Sequence, residues 1–186
     1  MSPETNQSVE KPARKQQQRS IVTQQKLLDA AIEAFSENGF NGTSTRDIAE
    51  RAGVHHPLIT YHFKNKDQLW RAATDRIFRE FNISLVKAMA EIPDEKPKAK
   101  AETFVRTYLQ YSRNQPALHR IILQEANYPS ERLDWLVENH LKPLFDEVHK
   151  AWTKAFEIRV PVKLSAAVAP DAQIGLIFDY RACDEM

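Results

Sequence analysis

Three of the chain's six histidines, His55, His56 and His62, lie within the ten residues VHHPLITYHF, Val54 to Phe63. Imidazole can ligate a metal, relay a proton or donate hydrogen bonds to a polyanion, so spacing has to choose among these. Two histidines that share one ion on a helix stand four residues apart. His55 and His62 are seven apart, roughly 10.5 Å along a helix axis, and the adjacent pair His55 and His56 point in different directions. No cysteine or carboxylate stands at a complementary spacing in this segment. The lone Cys183 lies near Arg181, and no glycine-flanked serine of the nucleophile-elbow type occurs. No catalytic residue, metal ligand or cofactor is therefore expected. What remains is a surface on which imidazole, the Thr60 hydroxyl and the Tyr61 phenol donate to phosphate oxygens or base edges.

Such a surface needs a rigid helix beneath it. The apolar positions Leu28, Ala31, Ile32 and Phe35 follow the i, i+3, i+4, i+7 rule of a buried helical stripe from Ser20 onward. Asn38-Gly39 ends that helix, and Phe40 can fold back onto its last turn. Ser44 with Asp47 forms a capping box for a short second helix with Ile48, Ala49 and Ala52 on its apolar face, and Gly53 stops it. A third helix covers Val54 to Phe63, with Leu58, Ile59 and Phe63 holding it to the second. Two short helices joined by about three residues make a helix-turn-helix. Asn65 and Gln68 then cap a long fourth helix carrying Leu69, Ala73, Ile77, Phe78 and Phe81, which runs from 66 to about Ile92, ahead of Pro93.

The whole chain suits this arrangement. Its 186 residues include only 4 glycines against a large stock of strong helix formers, which predicts an all-α protein. Residues 1–66 hold 9 Lys+Arg against 7 Asp+Glu, and residues 67–186 hold 17 against 18, so positive charge leans toward the N-terminal end. Residues 1–19 are polar, Gln-rich and basic, and read as a disordered arm that could track a minor groove. One cysteine, no run of about 18 apolar residues and no apolar leader predict a cytoplasmic protein with no membrane contact.

The stretch TSTRDIAERAGVHHPLITYHFKNKDQLW resembles the DNA-binding signature of TetR-type (TetR/AcrR-like) transcriptional regulators, a likeness that covers about Leu27 to Trp70. The resemblance implies that Thr45, Arg46, Tyr61, His62 and Lys66 contact the DNA backbone or groove, and that His55, His56 and Thr60 tune sequence preference. Two positions depart from the family pattern. His55 stands where a capping serine is usual, which weakens that helix start by roughly 1 kcal/mol, partly offset by Pro57 in the first turn. Thr60 replaces a common aromatic.

The expected architecture is thus an N-terminal three-helix domain, 20–66, joined by the long fourth helix to an all-helical ligand-binding and dimerisation domain, 67–186. In the second half, Phe104, Val105, Tyr108 and Leu109 form one stripe. Pro116 opens a helix with Leu118, Ile121 and Ile122, and Ser130 caps another with Leu133, Leu136, Val137, Leu144, Phe145, Val148 and Trp152, kinked by Pro143 near Asn139. About 30 C-terminal residues are atypical of the resemblance.

The function implied is that of a repressor bound as a homodimer to a palindromic double-stranded operator, because one recognition helix reads only a few base pairs. A small apolar or aromatic effector would release it by shifting the fourth helix, with Phe104, Tyr108, Tyr111, Trp135 and His140 as candidate pocket residues. The competing readings are a helical protein-interaction module that has lost DNA contact, against which Arg46, Tyr61 and Lys66 argue, and a histidine-dependent enzyme, which the spacing disfavours.

Overall fold

The computed structural model describes residues 10–156. Within them the chain forms α1 (Glu10–Gly42), α2 (Thr45–Arg51), α3 (Pro57–Phe63), α4 (Lys66–Met89), α5 (Pro97–Asn114), α6 (Pro116–Ala126), α7 (Glu131–Leu136), a π-helical turn (Val137–Leu141) and α8 (Lys142–Phe156). The all-α expectation is met. Contacts divide the chain into two units, 1–73 and 74–186, and the division falls inside the continuous helix α4.

Three sequence expectations change in detail. Glu10 to Arg19 continue α1 as helix instead of forming a disordered arm. Lys, Arg, Gln and Ala are good helix formers, and extending a helix that packing has already nucleated costs little. Pro12 sits in the first turn, where its missing N–H removes no bond. The buried stripe of α1 is Leu27, Ala30, Ala31, Ala34 and Phe35, while Leu28 and Ile32 sit at its half-buried margin. Helix α4 ends at Met89, three residues short of Ile92, whose N–H turns back to the Met89 carbonyl.

The first unit closes its core with Leu27, Ala31 and Phe35 of α1, Ile48 and Ala49 of α2, Ile59 and Phe63 of α3, and Leu69 and Trp70 of α4. Two left-handed glycines punctuate it. Gly39, at φ 67°, kinks α1 before its last residues, and Phe40 stacks on Phe35 with ring centroids 5.9 Å apart. Buried Thr43 fixes this turn, its hydroxyl 2.7 Å from the Gly39 carbonyl oxygen and 3.0 Å from that of Ala34. At the other end of α2, Gly53 has φ 63°, with its N–H on the Glu50 carbonyl and the Val54 N–H on the Ala49 carbonyl, each 3.0 Å. Those two bonds are a Schellman motif, which uses up carbonyls that the helix end would leave open.

The second unit buries Ile77, Phe78 and Phe81 of α4 with Ala101, Leu118, Ile121, Ile122, Leu133, Leu136 and Val137. The stripe expected on α5 is displaced: Val105 and Leu109 are exposed, whereas Tyr108 and Tyr111 turn inward as edge-on neighbours of Phe81. Buried Glu125 is met by Arg132 at 3.2 Å and by the Ser130 hydroxyl at 3.4 Å. Pro143 cannot donate to the carbonyl of Asn139, and the chain accommodates this with the π-helical turn over Val137–Leu141. His140 lies on that turn. Its ring stacks on Phe78 at 4.5 Å, meets Trp135 edge-on at 5.2 Å, and places Nε2 2.9 Å from the Asp75 carboxylate.

Burial holds the His140 imidazole below its ordinary pKa, against the opposing pull of Asp75. A histidine kept neutral by the fold binds its proton more readily when unfolded, so its contribution to stability is full above the unfolded value near 6.5 and declines as pH falls below it. Melting temperatures taken from pH 7.5 down to 5.5, values bracketing that pKa by about one unit, should fall less in His140→Gln than in the parent chain.

Two substitutions in the first unit should act in opposite directions in denaturant titrations. A Cβ at Gly53 would meet no heavy atom within 4 Å, so Gly53→Ala costs only the left-handed backbone, about 1 kcal/mol. Lys64 is the one non-glycine residue with positive φ among the described residues, at 61°, and the Asn65 N–H closes a tight turn onto the Phe63 carbonyl at 2.7 Å. Lys64→Gly relieves that strained turn and should stabilise by about 1 kcal/mol.

Candidate nucleic-acid interface

Helices α2 and α3 are each seven residues long and joined by the Gly53 turn. The capping box predicted at the start of α2 is present: the Ser44 hydroxyl accepts from the Asp47 N–H at 3.1 Å, and the Ser44 N–H donates to the Asp47 carboxylate at 3.3 Å. Arg51 ties α2 to α1 through Glu37 at 2.8 Å. Ile59 and Phe63 bury the inner side of α3, with Leu58 half-buried beside them.

Helix α3 begins at Pro57 rather than at Val54 or His55, and its N-cap is His56, which makes no side-chain cap bond. The entry is a tight turn in which the Leu58 and Ile59 N–H groups reach the His55 and His56 carbonyls at 3.0 Å. Proline fits the first helical position because its absent N–H would have no acceptor there. Freed from capping, the His56 side chain crosses to α2, where Nε2 lies 2.9 Å from the Thr45 hydroxyl.

Of the eight interface residues expected from the sequence, Arg46, His55, His56, Thr60 and Tyr61 are exposed, Tyr61 at 76%, and Thr45 is half-buried beside His56. Thr45 and Arg46 on α2, His55 and His56 in the turn before α3, and Thr60 and Tyr61 on α3 all belong to one helix-turn-helix. His62 is half-buried and packs edge-on against Tyr61 at 5.0 Å. Desolvation lowers its pKa, so at neutral pH it is an uncharged donor and acceptor. Lys66 lies over the Phe40 ring at 4.3 Å, a cation–π contact that joins the start of α4 to the end of α1 beyond its Gly39 kink.

Sequence reasoning overlooked Lys64. It is exposed, follows α3 directly and is held in the strained turn described above. Positive φ at a lysine leaves no mark in residue type, so no sequence signal could have found it.

The candidate pocket residues of the second unit are not gathered around one cavity. Tyr108 and Tyr111 flank Phe81, and their hydroxyls lie 3.1 Å from His119 Nδ1 and 3.3 Å from the Ile77 carbonyl respectively. Phe104 is half-buried, and Trp135 rests against His140. Of the five, His140 alone borders the groove that Arg79, Ile83, Val86 and Lys87 line along α4. No cluster of metal-binding side chains occurs among the described residues, and none of their helices is long and apolar enough to cross a membrane.

Residues 27–73 match the family described as bacterial regulatory proteins, tetR family. The chain is 33% identical over 121 residues to the HTH-type transcriptional regulator RutR of Escherichia coli strain K12, covering 65% of this chain and 56% of RutR. It is 26% identical over 121 residues to YttP of Bacillus subtilis, a probable HTH-type transcriptional regulator, covering 65% and 58%. The chain thus spans a little over half the length of these relatives, which are named as regulators and not as enzymes. A TetR-like transcriptional regulator from Rhodococcus sp. RHA1 shares the fold over 73% of this chain and 72% of its own, with a TM-score of 0.63 at 21% identity. HlyIIR, a hemolysin II transcriptional regulator, does so over 79% and 80%, with a TM-score of 0.61 at 19% identity. Over residues 27–73, which hold α2, α3 and the turn between them, the chain is similar to the tetR family of bacterial regulatory proteins.

Proposed function

We propose that the protein is a DNA-binding transcriptional repressor that sits as a homodimer on a palindromic operator and is released by a small-molecule effector. The observation that carries this reading is the exposed side of α3: Thr60 and Tyr61 project from a helix whose opposite side, Ile59 and Phe63, is fully used in the core. A solvent-facing phenol, hydroxyl and imidazole set on a buried helix suit a duplex groove, while Arg46 and Lys64 supply charge for the flanking phosphates. Dimerisation follows from affinity, since two half-sites are needed for a useful binding constant. Helix α4 is one element of both contact units, which makes it the route by which an effector could bias DNA binding.

Gel-shift titration against DNA from the gene's own upstream region should show affinity falling steeply as salt rises, because phosphate contacts release counterions. A flat salt response would point to a protein-interaction module instead. Tyr61→Ala should weaken binding to all duplexes alike, by about 1 to 3 kcal/mol. His55→Ala and Thr60→Ala should instead reorder which duplexes are preferred in a selection from random sequence. Equal effects of all three on every duplex would remove the division between positioning and reading.

A further inference from the structure

Helix α4 carries a second set of side chains that the DNA interface does not use. Arg79, Ile83, Val86 and Lys87 line an open groove of about 760 Å³, with Asp75 and His140 at one end. The volume is within the roughly 300 to 1,000 Å³ typical of small-molecule sites. Ile83 and Val86 are 62% and 69% exposed, a branched aliphatic floor left uncovered by the described residues. Isolated exposed aliphatics are ordinary, but these two lie between two cations on the same side of a helix.

The two cations on that floor are not held in ion pairs among the described residues. Arg71 and Arg76, elsewhere on α4, are each held by a carboxylate four residues away, Asp67 at 2.7 Å and Glu80 at 3.0 Å. Arg79 also has a carboxylate four residues back, Asp75, but His140 has taken it at 2.9 Å. Among the described residues neither Arg79 nor Lys87 enters an ion pair. The π-helical turn that carries His140 is thus what leaves the Arg79 guanidinium open. A guanidinium offers a planar fork matched to a carboxylate. Eight residues of helix separate Arg79 from Lys87, about 12 Å of rise, which is the length of a medium hydrocarbon chain.

We propose that this groove binds an amphipathic carboxylate, with its head group on Arg79 and its apolar body along Ile83 and Val86 toward Lys87, and that this class supplies the effector. The effector role rests on the regulator reading above; the binding site does not. Decanoate is the probe, titrated calorimetrically into the full chain beside 1-decanol and acetate. Decanoate should saturate at one per chain, with the alcohol and acetate each at least about tenfold weaker, since one keeps only the body and the other only the head. Arg79→Gln and Ile83→Asn, both at exposed positions, should each lose about tenfold in affinity, while Arg113→Gln on α5 should lose none.

Equal binding of decanol and decanoate, an unchanged Arg79→Gln, or no saturable heat would overturn the site. A parallel gel shift separates the two readings. Decanoate that binds but leaves DNA affinity unchanged overturns its role as effector. A ligand-free chain that binds no DNA yet still binds decanoate overturns the regulator reading and leaves the groove assignment standing.

Discussion

The left-handed backbone at Gly53 is the constraint on which the interface depends. Helix α2 is only seven residues long, too short to be stable alone, and its last carbonyls need partners within the turn. The Schellman bonds from Gly53 and Val54 supply those partners and redirect the chain, so that only five residues separate α2 from α3, which begins at Pro57. Because the turn is tight, Ile59 and Phe63 can reach the core shared with Ile48 and Leu27. With that side of α3 consumed, Thr60 and Tyr61 have only solvent or a partner to face.

The same economy operates in the polar contacts around the two helices. Ser44 closes the start of α2, the Thr45 hydroxyl beside it takes up His56, and Arg51 reaches back to Glu37 on α1. Exposed pairs of this sort contribute little stability each, and of the three only Thr45–His56 spans from α2 to the start of α3. Lys66 adds a further tie through Phe40, so a residue expected to touch DNA also anchors the start of α4. Positioning and recognition are not cleanly divided among these side chains.

In the second unit the organising feature is a missing N–H. Pro143 cannot bond the Asn139 carbonyl, the helix widens into a π-helical turn, and His140 is brought onto the Phe78 ring within reach of Asp75. Taking Asp75 away from Arg79 changes the electrostatics of the neighbouring groove without adding a single charge. Proline thereby acts at a distance of several side chains, through geometry and not through its own contacts.

Periodicity and punctuation determined most of the helical frame. Capping residues and glycines set the start and end of α2, prolines 97 and 116 open α5 and α6, and Leu69, Ala73, Ile77, Phe78 and Phe81 of α4 became core because a period of 3.6 leaves them one side to occupy. The resemblance of residues 27–70 to TetR-type regulators was legible for the same reason: it consists of local spacings. What only tertiary structure decided was pairing across elements. Whether His56 would cap its own helix or bond Thr45, whether Tyr108 would line a cavity or pack on Phe81, and which partner Asp75 would choose depend on distances between helices, which residue order does not encode. The strained turn at Lys64 belongs with these, since its dihedral angles are imposed by the packing of Phe63 on one side and the capping of α4 by Asn65 on the other.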